Sequence, residues 1–168
     1  MIYIGFGYDS KSWVSRAIAW FCKGKISHAF FLLDNPIFEW EVLGSEARGF
    51  YPMTASAWSP SYVVDLYAIP GLERALRKNA RFLGAPYDFP GLIGMTWVMA
   101  FKHWFHRRVK NPFTKKGSWF CSAIVDQVLA DAGLSHPADP RAVDPVTLRD
   151  FLAEAGYVRA DYARVVAS

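Results

Sequence analysis

The reactive chemistry of this 168-residue chain is concentrated in one cysteine and one histidine. Cys121 stands in Ser118-Trp119-Phe120-Cys121-Ser122-Ala123-Ile124-Val125, where a polar, lysine-rich loop gives way to an apolar helical pattern. A helix start presents unpaired backbone N–H groups and the positive end of the macrodipole, and both favour a thiolate over a thiol. With Ser118 as the N-cap, Cys121 falls in the first turn, and the N–H groups around it can also hold an oxyanion. A cysteine nucleophile further needs a base and a group to orient that base. His28, in Ser27-His28-Ala29, supplies an imidazole that titrates near neutrality; it can take the thiol proton and return it to a leaving group. The orienting carboxylate would come from the next strand, where Glu39 and Glu41 in Ile37-Phe38-Glu39-Trp40-Glu41 share a face, and the register decides which of them reaches His28. The plainer alternative is a small buried thiol and two solvated glutamates.

Those residues need elements to carry them. Ile2, Ile4 and Phe6 alternate as a first strand, and Ser10 then opens a helix over about 11–23 that ends at Gly24. Ile26 to Leu33 is the histidine strand; Asp34-Asn35-Pro36 turns it back into a partner strand, Ile37 to Leu43. A Gly-, Ser- and Pro-rich loop spans about 44–60, a further strand Ser61 to Ile69, and a helix Leu72 to Leu83. Gly84 to Gly91 is turn-rich, and an amphipathic stretch runs from there to about Arg108. From Trp119 to Ala132 the apolar residues recur every four positions, a buried helix ended by Gly133. Asp144-Pro145-Val146-Thr147 opens the last helix. With neither repeat nor linker, residues 1–168 are expected to form a single domain.

In this order the motifs resemble those of a known group. Ser27-His28-Ala29-Phe30-Phe31 is similar to its histidine strand, Phe38-Glu39 to its third polar position, Gly84-Ala85-Pro86-Tyr87-Asp88 to its GxxYD segment, and Trp119-Phe120-Cys121-Ser122 to its nucleophile helix. The group is the circularly permuted branch of the papain-like superfamily, related to NlpC-type peptidoglycan peptidases and to the lecithin retinol acyltransferase family; in this branch histidine precedes cysteine. The resemblance covers roughly residues 2–150. It implies an α+β permuted papain-like fold, with an antiparallel sheet packed against the helix that carries the cysteine. It also implies Cys121 as nucleophile, His28 as base, Glu39 as the orienting residue, and structural or cleft-forming roles for Tyr87 and Asp88. The chain departs from the pattern at Ala123, where many relatives carry an acidic residue after the Cys-Ser pair.

Composition narrows the rest. Apolar residues make up 52% of the chain, which argues against disorder, and aromatics 17%, more than a core of this size requires. Two cysteines without CxxC spacing and four histidines without HExxH spacing indicate neither a disulfide framework nor a metal site, and no cofactor is expected. Cys22 fits an inert buried thiol better than a redox partner of Cys121. No signal-peptide pattern opens the chain, and the most apolar run, Pro90 to Phe101, is too short to span a bilayer, so a cytoplasmic location is expected. The net charge of +4 does not call for a nucleic-acid partner, but no acidic residue falls between Asp88 and Asp126, where Lys102, Arg107, Arg108, Lys110, Lys115 and Lys116 lie. The leading expectation is a thiol hydrolase of the peptidase or amidase type, cleaving an amide or ester of a small or peptidoglycan-like peptide through an acyl-cysteine. The alternatives are a lipid-directed acyltransferase or esterase in peripheral contact with a membrane, and a non-catalytic binding module on the same scaffold.

Overall fold

A computed structural model of the chain describes residues 1–33, 41–46, 48–55, 63–107, 109–113, 117–134 and 143–167, with Glu46 described by its backbone alone. Its elements form a mixed α+β structure built on one antiparallel sheet. The strands are β1 (Ile2–Gly7), β2 (His28–Leu33), β3 (Glu41–Glu46), β4 (Gly49–Thr54) and β5 (Val63–Ala68), in the spatial order β4-β3-β2-β1-β5. The helices are α1 (Trp13–Phe21), α2 (Leu72–Asn79, followed by one turn of 3-10 helix at Ala80–Phe82), α3 (Phe89–Trp104), α4 (Cys121–Asp131), α5 (Pro145–Glu154) and α6 (Tyr162–Val166).

Alternation along the strands sorts side chains onto two faces. Ile4, Phe6, Ala29, Phe31, Leu43, Phe50 and Tyr67 face the helices and form the main core with residues of α4 such as Ile124, Val128 and Leu129. Phe30, Leu32, Val42 and Leu66 face the other way and are fully buried as well. Their cover comes from the C-terminal segment, where Tyr162, Val165 and Val166 pack onto them. That segment also protects the edge strand β5: Ala160 N–H donates to Leu66 O at 2.7 Å and Ala68 N–H to Val158 O at 3.1 Å. Two such faces explain why β2 reads His28-Ala29-Phe30-Phe31-Leu32-Leu33, apolar on both sides, rather than alternating with polar residues.

Residues 121–126 of α4 are all buried, so this helix lies inside the molecule, between β2 and β3 on one side and α2 and α5 on the other. By contrast α2 buries only Leu72, Ala75, Leu76 and Asn79, the i, i+3, i+4, i+7 stripe of a surface helix.

Several expectations about boundaries need correction. Ser12, not Ser10, caps α1, its hydroxyl accepting from Ser15 N–H at 3.3 Å. The partner of the histidine strand is Glu41–Glu46, in a register four residues on from that expected for 37–43: its antiparallel pairing sets Leu33 against Glu41 and Phe30 against Gly44. A three-residue turn at 34–36 would have paired position 33 with position 37. Residues 34–40 lie outside the described part of the chain. The stretch expected to be loop, 44–60, contains the end of β3 and all of β4. Helix α5 is not the last, since α6 follows it.

Candidate active site

Cys121 is the first residue of α4. The N-cap is Phe120, with extended backbone (φ −97°, ψ 165°) and no side-chain cap, so Ser118 does not cap this helix. The first intrahelical bond runs from Ile124 N–H to Phe120 O at 3.3 Å. The N–H groups of Cys121, Ser122 and Ala123 are therefore those a helix start leaves without an intrahelical acceptor.

Neighbours fix this helix start from three sides. Ser122 donates its hydroxyl to Val143 O at 2.7 Å, and Ser45 on β3 donates to Trp119 O at 2.7 Å. Trp119 forms a parallel bridge with Tyr87: its N–H donates to Pro86 O at 3.2 Å, and its carbonyl accepts from Asp88 N–H at 3.3 Å. One residue pair further, Phe50 N–H on β4 donates to Ala85 O and Gly84 N–H donates to Phe50 O. The segment Gly84–Asp88 is thus a tie between the sheet edge and the residues just before Cys121. Asp88 also caps α3 by accepting from Gly91 N–H at 2.9 Å, and a Cβ at position 91 would fall on its carboxylate.

The thiol of Cys121 lies at the beginning of β2. Its Sγ is 4.0 Å from the carbonyl oxygen of Ser27, and Cys121 is only 2% exposed. Peptide geometry then places Sγ within about 7 Å of His28 Cα. The Ser27 hydroxyl makes a short hydrogen bond with that of Ser15 on α1, which anchors this corner of the strand to the helix layer.

His28 is the first residue of β2, opposite Gly7 on β1. Its ring is nearly parallel to that of Phe30, with centroids 6.2 Å apart, so the imidazole shares the face of Phe30 and Leu32. Nε2 lies over β3, where a Cβ built on Gly44 would be 3.3 Å away, and that position carries no side chain. Thiol and imidazole therefore meet the N-terminal end of β2 from opposite faces of the sheet, the thiol from the side of Ala29 and Phe31, where α4 packs, and the imidazole from the side of Phe30 and Gly44.

The two glutamates fare differently. Glu41 stands opposite Leu33, five residues along β2 from His28, which is about 17 Å at strand rise. The register removes it as the residue that orients His28. Glu39 lies outside the described residues. The sequence reading passed over a third position. The pairings 33–41, 32–42, 31–43 and 30–44, continued two steps, set position 46 across from position 28, and Glu46 ends β3 there. A longer turn than Asp34-Asn35-Pro36 was the signal needed to find it.

Cys22, the C-cap of α1, is buried close to this corner. Burial pushes its thiol far up from the ordinary range, reinforced by the Asp144 carboxylate, which it hydrogen-bonds, and by Cys121. Both cysteines are free thiols. No group of three or more His, Cys, Asp or Glu side chains suited to a metal ion occurs among the described residues. No protein-family model and no curated protein sequence matches this chain.

Proposed function

We propose that the protein is a thiol hydrolase of the permuted papain-like kind, with Cys121 as nucleophile and His28 as its base. One observation carries the reading: the thiol stands at the first position of a buried helix and points at the carbonyl of the residue before a strand-borne histidine. In this mechanism the Cys121 sulfur attacks the carbonyl carbon of an amide or ester, and a C–S bond forms. The oxyanion is held by N–H groups at the start of α4. His28, at the end of β2, must turn its imidazole from the Phe30 face toward the thiol; it then takes the thiol proton and delivers it to the departing amine or alcohol as the C–N or C–O bond breaks. Water then attacks the thioester, His28 accepts its proton, and the thiol is restored as the acid leaves. A carboxylate orients the imidazole in this scheme; Glu39 fills that role by motif and Glu46 by register. Small or peptidoglycan-like peptides are the first substrates to try.

The burial of Cys121, and the place of the His28 ring on the sheet face opposite α4, favour a second reading, a binding module that keeps the scaffold and not the turnover. Alkylation separates the two. On the catalytic reading, iodoacetamide at pH 7 modifies Cys121 faster than it modifies N-acetylcysteine, and His28→Ala removes the advantage. A rate no higher than that of the free thiol, unchanged in His28→Ala, would leave the binding module.

A further inference from the structure

Helix α3 has a second apolar face that nothing in the described structure covers. Leu92, Met95, Val98 and Met99 point into the core. Phe89, Ile93, Trp97, Trp104 and Phe105 are each at least half exposed. At spacings of four and three residues they run down one outer side of the helix, joined by Phe101, whose ring touches those of Trp97 (4.8 Å) and Phe105 (5.1 Å). The stripe continues onto α1. Trp20 lies 5.5 Å from Trp104, centroid to centroid, and Trp13, two turns earlier on α1, is more exposed still. An ordinary surface helix turns its polar side to water. Four outward tryptophans on two adjoining helices are a contiguous apolar surface of the kind that marks an interaction site.

Basic side chains dominate its surroundings, with half-exposed Asp9 just before α1 and buried Asp144 near His103. Residues 10–33 and 89–125, which hold both helices, contain no aspartate or glutamate. Arg16, Lys23 and Lys25 line, with Trp20 and Trp104, an open cleft of about 590 Å³. Lys102, Arg107 and Lys110 are exposed along and after α3. The cations crowd one another: besides its burial, the nearby charges of Lys23 and Lys102 hold His103 below the usual histidine range.

We infer that the α1–α3 face docks onto an anionic membrane surface, with the aromatic stripe in the headgroup region and the basic residues against lipid phosphates and carboxylates. Tryptophan suits that depth, being apolar along its body and polar at its N–H. An exposed rim in which cations far outnumber acids, around an aromatic stripe, is complementary to anionic lipid. The helix lies in the interface and does not cross it: its 16 residues measure about 24 Å, and no described helix is long and apolar enough to span a bilayer. This inference is independent of the catalytic reading.

Sedimentation with vesicles of phosphatidylcholine, alone or mixed with phosphatidylserine, tests it. The native chain and Cys121→Ala should pellet alike with the mixed vesicles and weakly with phosphatidylcholine alone, with a blue shift of tryptophan emission. Arg16→Gln/Lys25→Gln should weaken binding by about 25-fold, or roughly fivefold per charge. Ile93→Ser/Trp97→Ser should abolish the binding while leaving the thermal melt unchanged, since both residues are exposed. Failure to bind either vesicle overturns the inference. So does equal binding to both, or binding that survives loss of Ile93 and Trp97. Self-association in the ultracentrifuge that Trp97→Ser abolishes would instead assign the face to a second copy of the chain.

Discussion

Gly44 separates the chemistry of His28 from the stability of the strand that supports it. A Cβ at this position would sit 3.3 Å from His28 Nε2 and 3.5 Å from Phe30 Cβ. The second distance is ordinary contact; the first obliges the imidazole to move by a few tenths of an ångström. The backbone of Gly44 is not in the left-handed region, so alanine fits it without strain. Replacing an interior strand glycine by alanine returns about 0.5–1 kcal/mol of chain entropy, which offsets the tight contact. Gly44→Ala should therefore melt within about 3 °C of the native protein. Its effect on chemistry should be larger. A displacement of about 1 Å at a reacting group costs on the order of 100-fold, so a few tenths should cost roughly fourfold, and Gly44→Val, whose methyls occupy the place of the ring, should approach 100-fold. The assay is the pH 7 alkylation rate of Cys121, read beside the melting curve for each variant. If Gly44→Val alkylates at the native rate, or the rate falls only in step with the melting temperature, the imidazole over Gly44 does not serve the thiol.

Other perturbations test the scaffold. Ser122→Ala removes a buried 2.7 Å bond and leaves Val143 O without that donor; it should cost about 1–2 kcal/mol, seen as a melting point lower by roughly 3–8 °C. Asp131 is held below the usual carboxylate range by hydrogen bonds from Lys78 and Asn79. Because its folded value is the lower one, its contribution is present above the unfolded carboxylate value and is lost as pH falls through the folded one. Asp131→Asn should thus lower the urea midpoint at neutral pH and leave it nearly unchanged at strongly acidic pH. Asp65 is buried between Arg159 at 2.6 Å and Arg149 at 3.2 Å; Asp65→Ala should loosen the C-terminal segment and make trypsin cut at Arg159 and Arg164 well before the rest of the chain. Cys22 should resist alkylation in the native protein at pH 8 and react only on unfolding, monitored by mass spectrometry.

Much of this architecture was legible from periodicity. The alternation of Ile2, Ile4 and Phe6, the four-residue repeat from Phe120 to Leu129, and Asp144 before Pro145 each led to an element that is present. Strand β4 escaped because Gly49 and Pro52 read as loop, yet it is the outermost strand, where a missing N–H can face away from the ladder. The pairing of β2 with β3 escaped for a different reason. A Pro-containing turn looks sufficient in itself, and nothing local shows that the register sets Leu33 opposite Glu41. That single misjudged length moved the carboxylate expected beside His28. The cover of Phe30 and Leu32 was illegible too, since α6 is five residues long and these two lie about 130 residues before it.

That distant cover has a consequence for how the molecule is made. The face bearing Phe30, Leu32, Val42 and Leu66 can close only when residues 158–166 arrive, some ninety residues after Leu66. At ribosomal speeds of about 5–20 residues per second, the growing chain carries an open apolar sheet face for several seconds after Leu66 has emerged. Chaperone dependence during synthesis should accordingly be high, and a stop codon just before Val158 should send the product to aggregates rather than to a shortened, working form.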